Sequence, residues 1–192
     1  MTDPYTALRD DDYLGPVVET HGELSIGPAE DFFERFVVSI IRQQVSMASA
    51  EAMRERLFDA VDVTPAGILA ADDETLRDAG LSRQKTQYVR NVAAATQERG
   101  WSREHFADVD DDAVRAELTD VKGVGQWTAD MQLIFTLGRE DVFPVGDLGI
   151  RKGMQRVFDA DLTRAEMNDR AERWTPYRSY ASLYLWRTTD DD

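Results

Sequence analysis

Apolar residues recur along most of this chain at the three- and four-residue spacing of helices, with capping residues and glycines between the runs. Residues 31–44 put Phe33, Val37, Ile40, Ile41 and Gln44 on one helical face. Ser46 is a second start signal, and the helix it opens runs to about residue 61. Thr64-Pro65 reads as an N-cap with proline at the first helical position. Residues 72–79 form a short turn of helix closed by Gly80, and Ser82 opens a longer helix closed by Gly100. A short helix around residues 110–117 precedes a glycine-rich link, after which residues 126–137 are helical up to Gly138. Thr163-Arg164-Ala165-Glu166 has the pattern of a capping box, and Pro176 opens a last helix to about residue 188. Strands have little support and no internal repeat is visible, so about nine helices predict an all-α domain over residues 30–192. The first 29 residues are the least periodic and are expected to form an arm, or a short extended pairing around residues 17–26.

Composition narrows the class. A chain of 192 residues holds one good-sized domain or two lobes sharing a core. No apolar run approaches the roughly 18–20 residues of a membrane span. Met1-Thr2-Asp3-Pro4 has neither the basic start nor the apolar stretch of a signal peptide, and a cytoplasmic monomer is expected. The absence of cysteine excludes disulfides, thiolate nucleophiles and iron–sulfur clusters. His21 and His105 alone are a poor basis for a zinc enzyme or a histidine triad.

The net charge of −15 argues at first against nucleic acid. Of the 37 acidic residues, however, 24 are aspartate, and Lys85, Lys122 and Lys152 are the only lysines among 22 basic residues. That bias is similar to the surfaces of halophilic archaeal proteins. The blocks Asp10-Asp11-Asp12, Asp110-Asp111-Asp112 and Asp190-Asp191-Asp192 then read as solvated turns and tails rather than metal sites. The basic residues are clustered: Arg83, Lys85 and Arg90 lie in one acid-free stretch, and Arg151, Lys152 and Arg156 in another.

The strongest local signal is Val121-Lys122-Gly123-Val124-Gly125-Gln126-Trp127-Thr128-Ala129, a Gly-x-Gly link with a helix starting directly behind it. Two glycines let backbone N–H groups approach a phosphate closely at a helix N-terminus, where the dipole favours an anion. An ordinary helix–helix turn is equally compatible with these residues taken alone. Beyond it comes Val142-Phe143-Pro144-Val145-Gly146-Asp147-Leu148-Gly149-Ile150-Arg151-Lys152-Gly153.

An aspartate at the next helix start, 22 residues after Gly125, resembles the helix-hairpin-helix (HhH-GPD) DNA glycosylase superfamily. Ile40-Ile41-Arg42-Gln43-Gln44-Val45-Ser46, Gly80-Leu81-Ser82-Arg83-Gln84-Lys85 and Glu172-Arg173-Trp174-Thr175-Pro176-Tyr177-Arg178-Ser179-Tyr180-Ala181 narrow the resemblance to the DNA-3-methyladenine glycosylase II family. The resemblance covers about residues 30–188. It implies two helical lobes with the active-site cleft between them. The separate N-terminal β-domain that some members carry is lacking, which leaves residues 1–29 unassigned. The position of the Schiff-base lysine in strand-cutting members is Trp127, so no lyase step is expected.

The resemblance also implies roles. Asp147 would be the catalytic carboxylate, an ordinary helix N-cap being the alternative, and Trp127, Met131 and Trp186 would line a pocket for a flipped base. Helix packing is the alternative for both tryptophans, and Tyr177, Tyr180 and Tyr184 are assigned to the core. Gln44 would fill the hole left in the duplex, a buried or exposed interhelical amide being the alternative. Lys122, Gly123, Val124 and Gly125, with Arg151 and Lys152, would hold DNA phosphates. No cofactor is expected beyond a structural Na+ or K+ on the carbonyls of Thr119, Val121 and Val124. Purines methylated at N3 or N7 are cationic and leave easily, so one carboxylate suffices for hydrolysis in double-stranded DNA containing alkylated bases. A same-fold enzyme for deaminated, oxidised or mismatched bases, and a non-catalytic DNA-binding module, stay open.

Overall fold

The computed structural model describes residues 3–189. Among them are twelve α-helices, one 3-10 turn and no strand, so the fold is all-α with no β-domain in the described chain. The chain divides into two compact units, one of Pro28–Leu137 and one of Met1–Gly27 with Gly138–Asp192.

The first unit holds α3 (Phe32–Arg42), α4 (Met47–Ala60), α5 (Pro65–Ala70), α6 (Asp73–Asp78), α7 (Arg83–Arg99), α8 (Asp111–Thr119) and α9 (Gln126–Phe135). Helix α3 is its centre. Phe36, Val37, Ile40 and Ile41 are fully buried on it, and it packs on α4, α7 and α9. Phe32, Phe36, Trp101 and Phe106 form an aromatic cluster with ring centroids 5.8–6.1 Å apart. The punctuation expected from sequence is realised atom by atom. Asp31, Ser46, Thr64, Asp72, Ser82 and Asp110 each accept an N–H from the first turn of the helix that follows. Gly100 closes α7 in the left-handed region.

Helices α3 and α9 run antiparallel, because their contacts step in opposite directions: Gln43 meets Thr128, Ser39 meets Gln132, and the Arg35 guanidinium lies 4.8 Å over the Phe135 ring. Burial, with Arg42 nearby, pushes Arg35 down to about 10. On the other side of α9 the buried Asp130 accepts from Arg115 Nε at 2.8 Å. Burial raises its carboxyl above the usual range despite that partner.

The second unit holds α1 (Pro4–Arg9), α2 (Gly15–His21), α10 (Leu148–Phe158), α11 (Arg164–Ala171), the 3-10 turn Glu172–Trp174 and α12 (Arg178–Arg187). Its core gathers Leu8, Leu14 and Val18 with Ile150, Met154 and Tyr184. Helix α10 reaches α12 closely at Gly153, where a Cβ would come within 2.6 Å of the Leu185 carbonyl. Thr163 and Glu166 form the expected capping box.

Two expectations differ here. The initial segment carries α1 and α2, and α2 takes up part of the stretch expected as a short extended pairing around residues 17–26. Asp3-Pro4 is the same cap-and-proline signal as Thr64-Pro65, and each opens a helix of six residues, so the start of α1 is marked by its cap and not by periodicity. Past α2, the Tyr184 hydroxyl accepts from Leu24 N–H and donates to the Gly22 carbonyl, tying this segment to α12. The last helix starts at Arg178, not Pro176. Tyr177 is its N-cap, and Glu140 and Asp141 accept the N–H groups of Ser179 and Arg178. The Asp190-Asp191-Asp192 tail and the Met1-Thr2 start lie outside the described residues.

The α8–α9 link is a tight turn. Val124 donates to the Val121 carbonyl at 3.0 Å, and Gly123 has φ +107°, where a Cβ would fall 2.3 Å from Tyr88 Cγ. Gly125 has φ −96° and open space around it. Gly123→Ala should therefore destabilise the protein by about 2–4 kcal/mol, while Gly125→Ala stays within about 0.5 kcal/mol of wild type. Denaturant melts of the two variants check this, and equal stability would contradict it.

Candidate active site and nucleic-acid interface

In the unit of α10 and α12, Asp147 is the N-cap of α10. Its Oδ1 accepts the Ile150 N–H at 3.0 Å and the indole N–H of Trp186, on α12, at 2.8 Å. Gly149 is required for that second bond, because a Cβ there would lie 2.8 Å from Trp186 Cδ1 and 3.1 Å from Asp147 Oδ1. The approach to Asp147 is also fixed: its N–H donates to the Pro144 carbonyl at 2.9 Å, and Arg151 Nη1 donates to Gly146 O at 3.0 Å. The carboxylate is thus held from two directions at a helix N-terminus, a favourable position for negative charge. Lys152 is exposed and Trp186 half-buried. Leu148, next to Asp147, is 59% exposed, one of three large apolar side chains exposed among the described residues.

In the other unit, α9 begins at Gly125 with no side-chain cap. The Val124 N–H is spent inside the turn, whereas those of Gly123 and Gly125 have no hydrogen bond among the described residues. The carbonyls on the opposite side of the turn are held from within. Asn91 Nδ2, on α7, donates to Lys122 O at 2.9 Å, and Gln43 Nε2 donates to Gly123 O at 3.0 Å. The Lys122 side chain is exposed. Trp127 is half-buried on the first turn of α9, and Met131, one turn on, is buried at 5% exposure. Thr119 ends α8, while the Val121 and Val124 side chains point into the core.

Gln44 lies in the turn between α3 and α4. It is exposed and has φ +56°, one of two non-glycine residues in the left-handed region among the described residues. Its neighbour Gln43 is half-buried and uses both amide hydrogens, toward Gly123 O and Thr128 Oγ1, at 3.0 Å each. Lys85 Nζ donates to the Ile41 carbonyl at the C-terminus of α3, and burial pulls that ammonium below the usual lysine range.

The residues predicted as sites therefore fall into two groups, Asp147 with Trp186, Arg151 and Lys152, and Gln44 with residues 122–125, Trp127 and Met131. Sequence reasoning missed Gln43, Tyr88 and Asn91. The pair Gln43-Gln44 was a visible signal, but nothing local distinguishes the amide that turns inward from the one that turns out. Tyr88 and Asn91 act on a turn more than 30 residues away, which no spacing rule reaches. Among the described residues there is no cluster of three His, Asp or Glu side chains able to hold a metal ion, and no helix long and apolar enough to cross a membrane.

Comparison with known proteins bears on the family and the fold. The family model of the HhH-GPD superfamily of base excision DNA repair proteins matches residues 37–177. DNA-3-methyladenine glycosylase 1 of Schizosaccharomyces pombe is 30% identical over 165 residues, covering 82% of this chain and 72% of the yeast protein. DNA-3-methyladenine glycosylase 2 of Escherichia coli is 30% identical over 187 residues, covering 91% of this chain. The chain spans 64% of that relative and 66% of YfjP of Bacillus subtilis, about two thirds of the length of each. A solved structure of the S. pombe 3-methyladenine DNA glycosylase Mag1, in complex with abasic DNA, superposes with a TM-score of 0.90 at 27% identity, covering 98% of this chain and 97% of that one. A DNA-3-methyladenine glycosidase from Bacillus halodurans gives 0.82 at 30% identity, covering 98% and 90%. On the family match and the fission-yeast relative together, the chain belongs to the HhH-GPD superfamily of base excision DNA repair proteins, in its DNA-3-methyladenine glycosylase-type family.

Proposed function

We propose that this protein is a monofunctional, monomeric DNA glycosylase that flips alkylated purines of the 3-methyladenine and 7-methylguanine type out of double-stranded DNA and hydrolyses their N-glycosidic bond. The observation that carries this reading is Asp147, held at the start of α10 by the Ile150 N–H and the Trp186 indole. With two donors on Oδ1, the carboxylate keeps a fixed orientation without spending a side-chain rearrangement on the reaction.

Breaking the bond leaves its electron pair on the methylated base, which departs neutral because it was bound as a cation. Asp147 stabilises the positive charge that grows on the sugar and orients the water that adds to C1′. The proton lost by that water passes to the carboxylate, leaving an abasic site. Trp127 with Met131 in one unit, and separately the Trp186 ring in the other, are the surfaces we assign to recognition of a methylated base, for which an aromatic ring is a matched partner because the base is a cation. Gln44 would occupy the vacated stack, and its exposed left-handed turn suits that task. The Gly123 and Gly125 amides with Lys122 would grip one phosphate, with Lys152 adding charge at another. Val124 would contribute position and not its N–H, and Arg151 would act mainly by holding the loop before Asp147. The carbonyls of Thr119, Val121 and Val124 are neutral oxygens, a donor set suited to Na+ or K+ in preference to a divalent ion. Trp127 in place of a lysine supports hydrolysis without strand cleavage.

The aspartate-rich, lysine-poor surface supports a cytoplasmic setting of very high salt, such as a halophilic archaeon. Some of these aspartates also hold backbone N–H groups: Asp11 accepts from Tyr13 and Leu14 in the turn before α2, and Asp110, the N-cap of α8, from Asp112 and Ala113.

Asp147→Asn should lower release of free methylated base from duplex DNA by about 100-fold or more, without weakening DNA binding. Base release unchanged in the variant would remove Asp147 from the mechanism. Trp186→Phe keeps a ring but loses the donor, and kcat should fall by about 10-fold or more with KM nearly constant. A rise in KM alone would instead assign Trp186 to base stacking. In molar KCl the protein should stay folded and active, and in dilute salt it should unfold as screening of its negative charge is lost. Circular dichroism across a salt series tests this, and a stable fold in dilute buffer would contradict it.

A further inference from the structure

We propose that Gln43 is a positioning residue that joins the turn carrying Gln44 to the hairpin of residues 121–125, so that gripping the DNA and entering it are one event. This rests on the reading of Gln44 as the inserted residue and of the hairpin as the phosphate grip.

Gln43 is the C-cap of α3. Its side chain crosses to residues 80 and 85 positions away, giving one amide hydrogen to Gly123 O and the other to Thr128 Oγ1. Gly123 O belongs to the peptide at the bend of the hairpin, and Thr128 stands on the first turn of α9 behind it. Gln44 follows directly, exposed and in a backbone conformation that costs a non-glycine residue free energy. Such a conformation persists when its surroundings over-determine it, and here they do. Lys85 of α7 holds the Ile41 carbonyl where α3 ends, Gln43 two residues on is pinned to the hairpin directly before Gln44, and Asn91 of the same α7 holds the Lys122 carbonyl. Turn, hairpin and α7 thus close a loop of side-chain to backbone bonds.

Extruding a paired base is uphill, and a side chain that must be ordered as it enters the stack adds a further entropic cost. A turn already locked to the hairpin avoids that cost once the phosphate is bound. If Gln43 serves this purpose, its loss should matter in proportion to the difficulty of extrusion. A residue that only stabilises the fold would affect every substrate equally.

The test compares wild type, Gln43→Leu, Thr128→Val and Gln44→Ala in single-turnover release of 7-methylguanine. One substrate pairs the lesion with cytosine and the other holds it in a one-nucleotide bulge. Fluorescence of 2-aminopurine beside an abasic analogue reports insertion independently of excision. Gln43→Leu should lose about 10-fold on the paired lesion and less than about 3-fold on the bulge, with a weaker insertion signal and undamaged-duplex affinity held. Thr128→Val, which removes one of the two bonds and keeps the shape, should change both readouts in the same direction by less. Equal losses on both substrates, or no loss on either, would overturn the proposal. Full activity and insertion by Gln44→Ala on the paired lesion would show instead that the wedge assignment is at fault. Absence of excision with the insertion signal intact in wild type would fault the enzymatic reading alone.

Discussion

Between α3 and α9 a column of polar side chains runs through otherwise apolar packing: Gln43 against Thr128, then Ser39 against Gln132, with Thr136 donating to Gln132 Oε1 at 2.8 Å. Ser39, Thr128, Gln132 and Thr136 are essentially without solvent contact. A purely hydrophobic interface between two helices tolerates sliding, because one apolar contact is nearly as good as the next. A buried amide does not, since moving it a turn along the partner leaves it unpaired in a medium where that costs about 1–3 kcal/mol. The column therefore fixes the register of α9 on α3. Because the hairpin is continuous with α9 and the Gln44 turn with α3, it also fixes the two chain segments expected to meet DNA.

The other unit uses close approach in place of a polar column. Gly153 admits the Leu185 carbonyl against α10, and Gly149 admits the Trp186 ring against the same helix one turn earlier. Both contacts bring α12 onto the face of α10 that starts with Asp147. The indole N–H is then within reach of the carboxylate because two glycines leave no side chain in the way. Without a Cβ at either position, helix contact and carboxylate orientation become one geometric fact.

Much of this was legible in the chain. Helix starts were readable wherever a capping side chain preceded a long run, as at Ser46, Ser82 and Thr163, because the cap is a local interaction. Asp147 was legible as a candidate because its spacing from the hairpin is a property of the sequence. Helices α1 and α2 were not, although Asp3-Pro4 carries the cap-and-proline signal that marks α5, and neither was the late start of α12, which depends on the Glu140 carbonyl and the Asp141 carboxylate. The inward turn of Gln43, the Tyr88 ring against Gly123 and the bond between Trp186 and Asp147 all join residues 35 or more positions apart. Those contacts exist only after the helices have packed, and no local rule encodes them.

Lysine is almost absent from this chain, with arginine supplying nearly all of its positive charge. One of the three exceptions, Lys85, is partly buried with its ammonium on the Ile41 carbonyl. A compact ammonium on a slender stem can reach a single oxygen at a helix end from the side, whereas a planar guanidinium brings a fork of donors that such a niche would leave unmatched. The arginine bias thus yields at a point where the shape of the interior decides the residue. Lys122 and Lys152 are exposed, so it is at Lys85 alone that internal geometry, and not the solvent, sets the choice of a lysine.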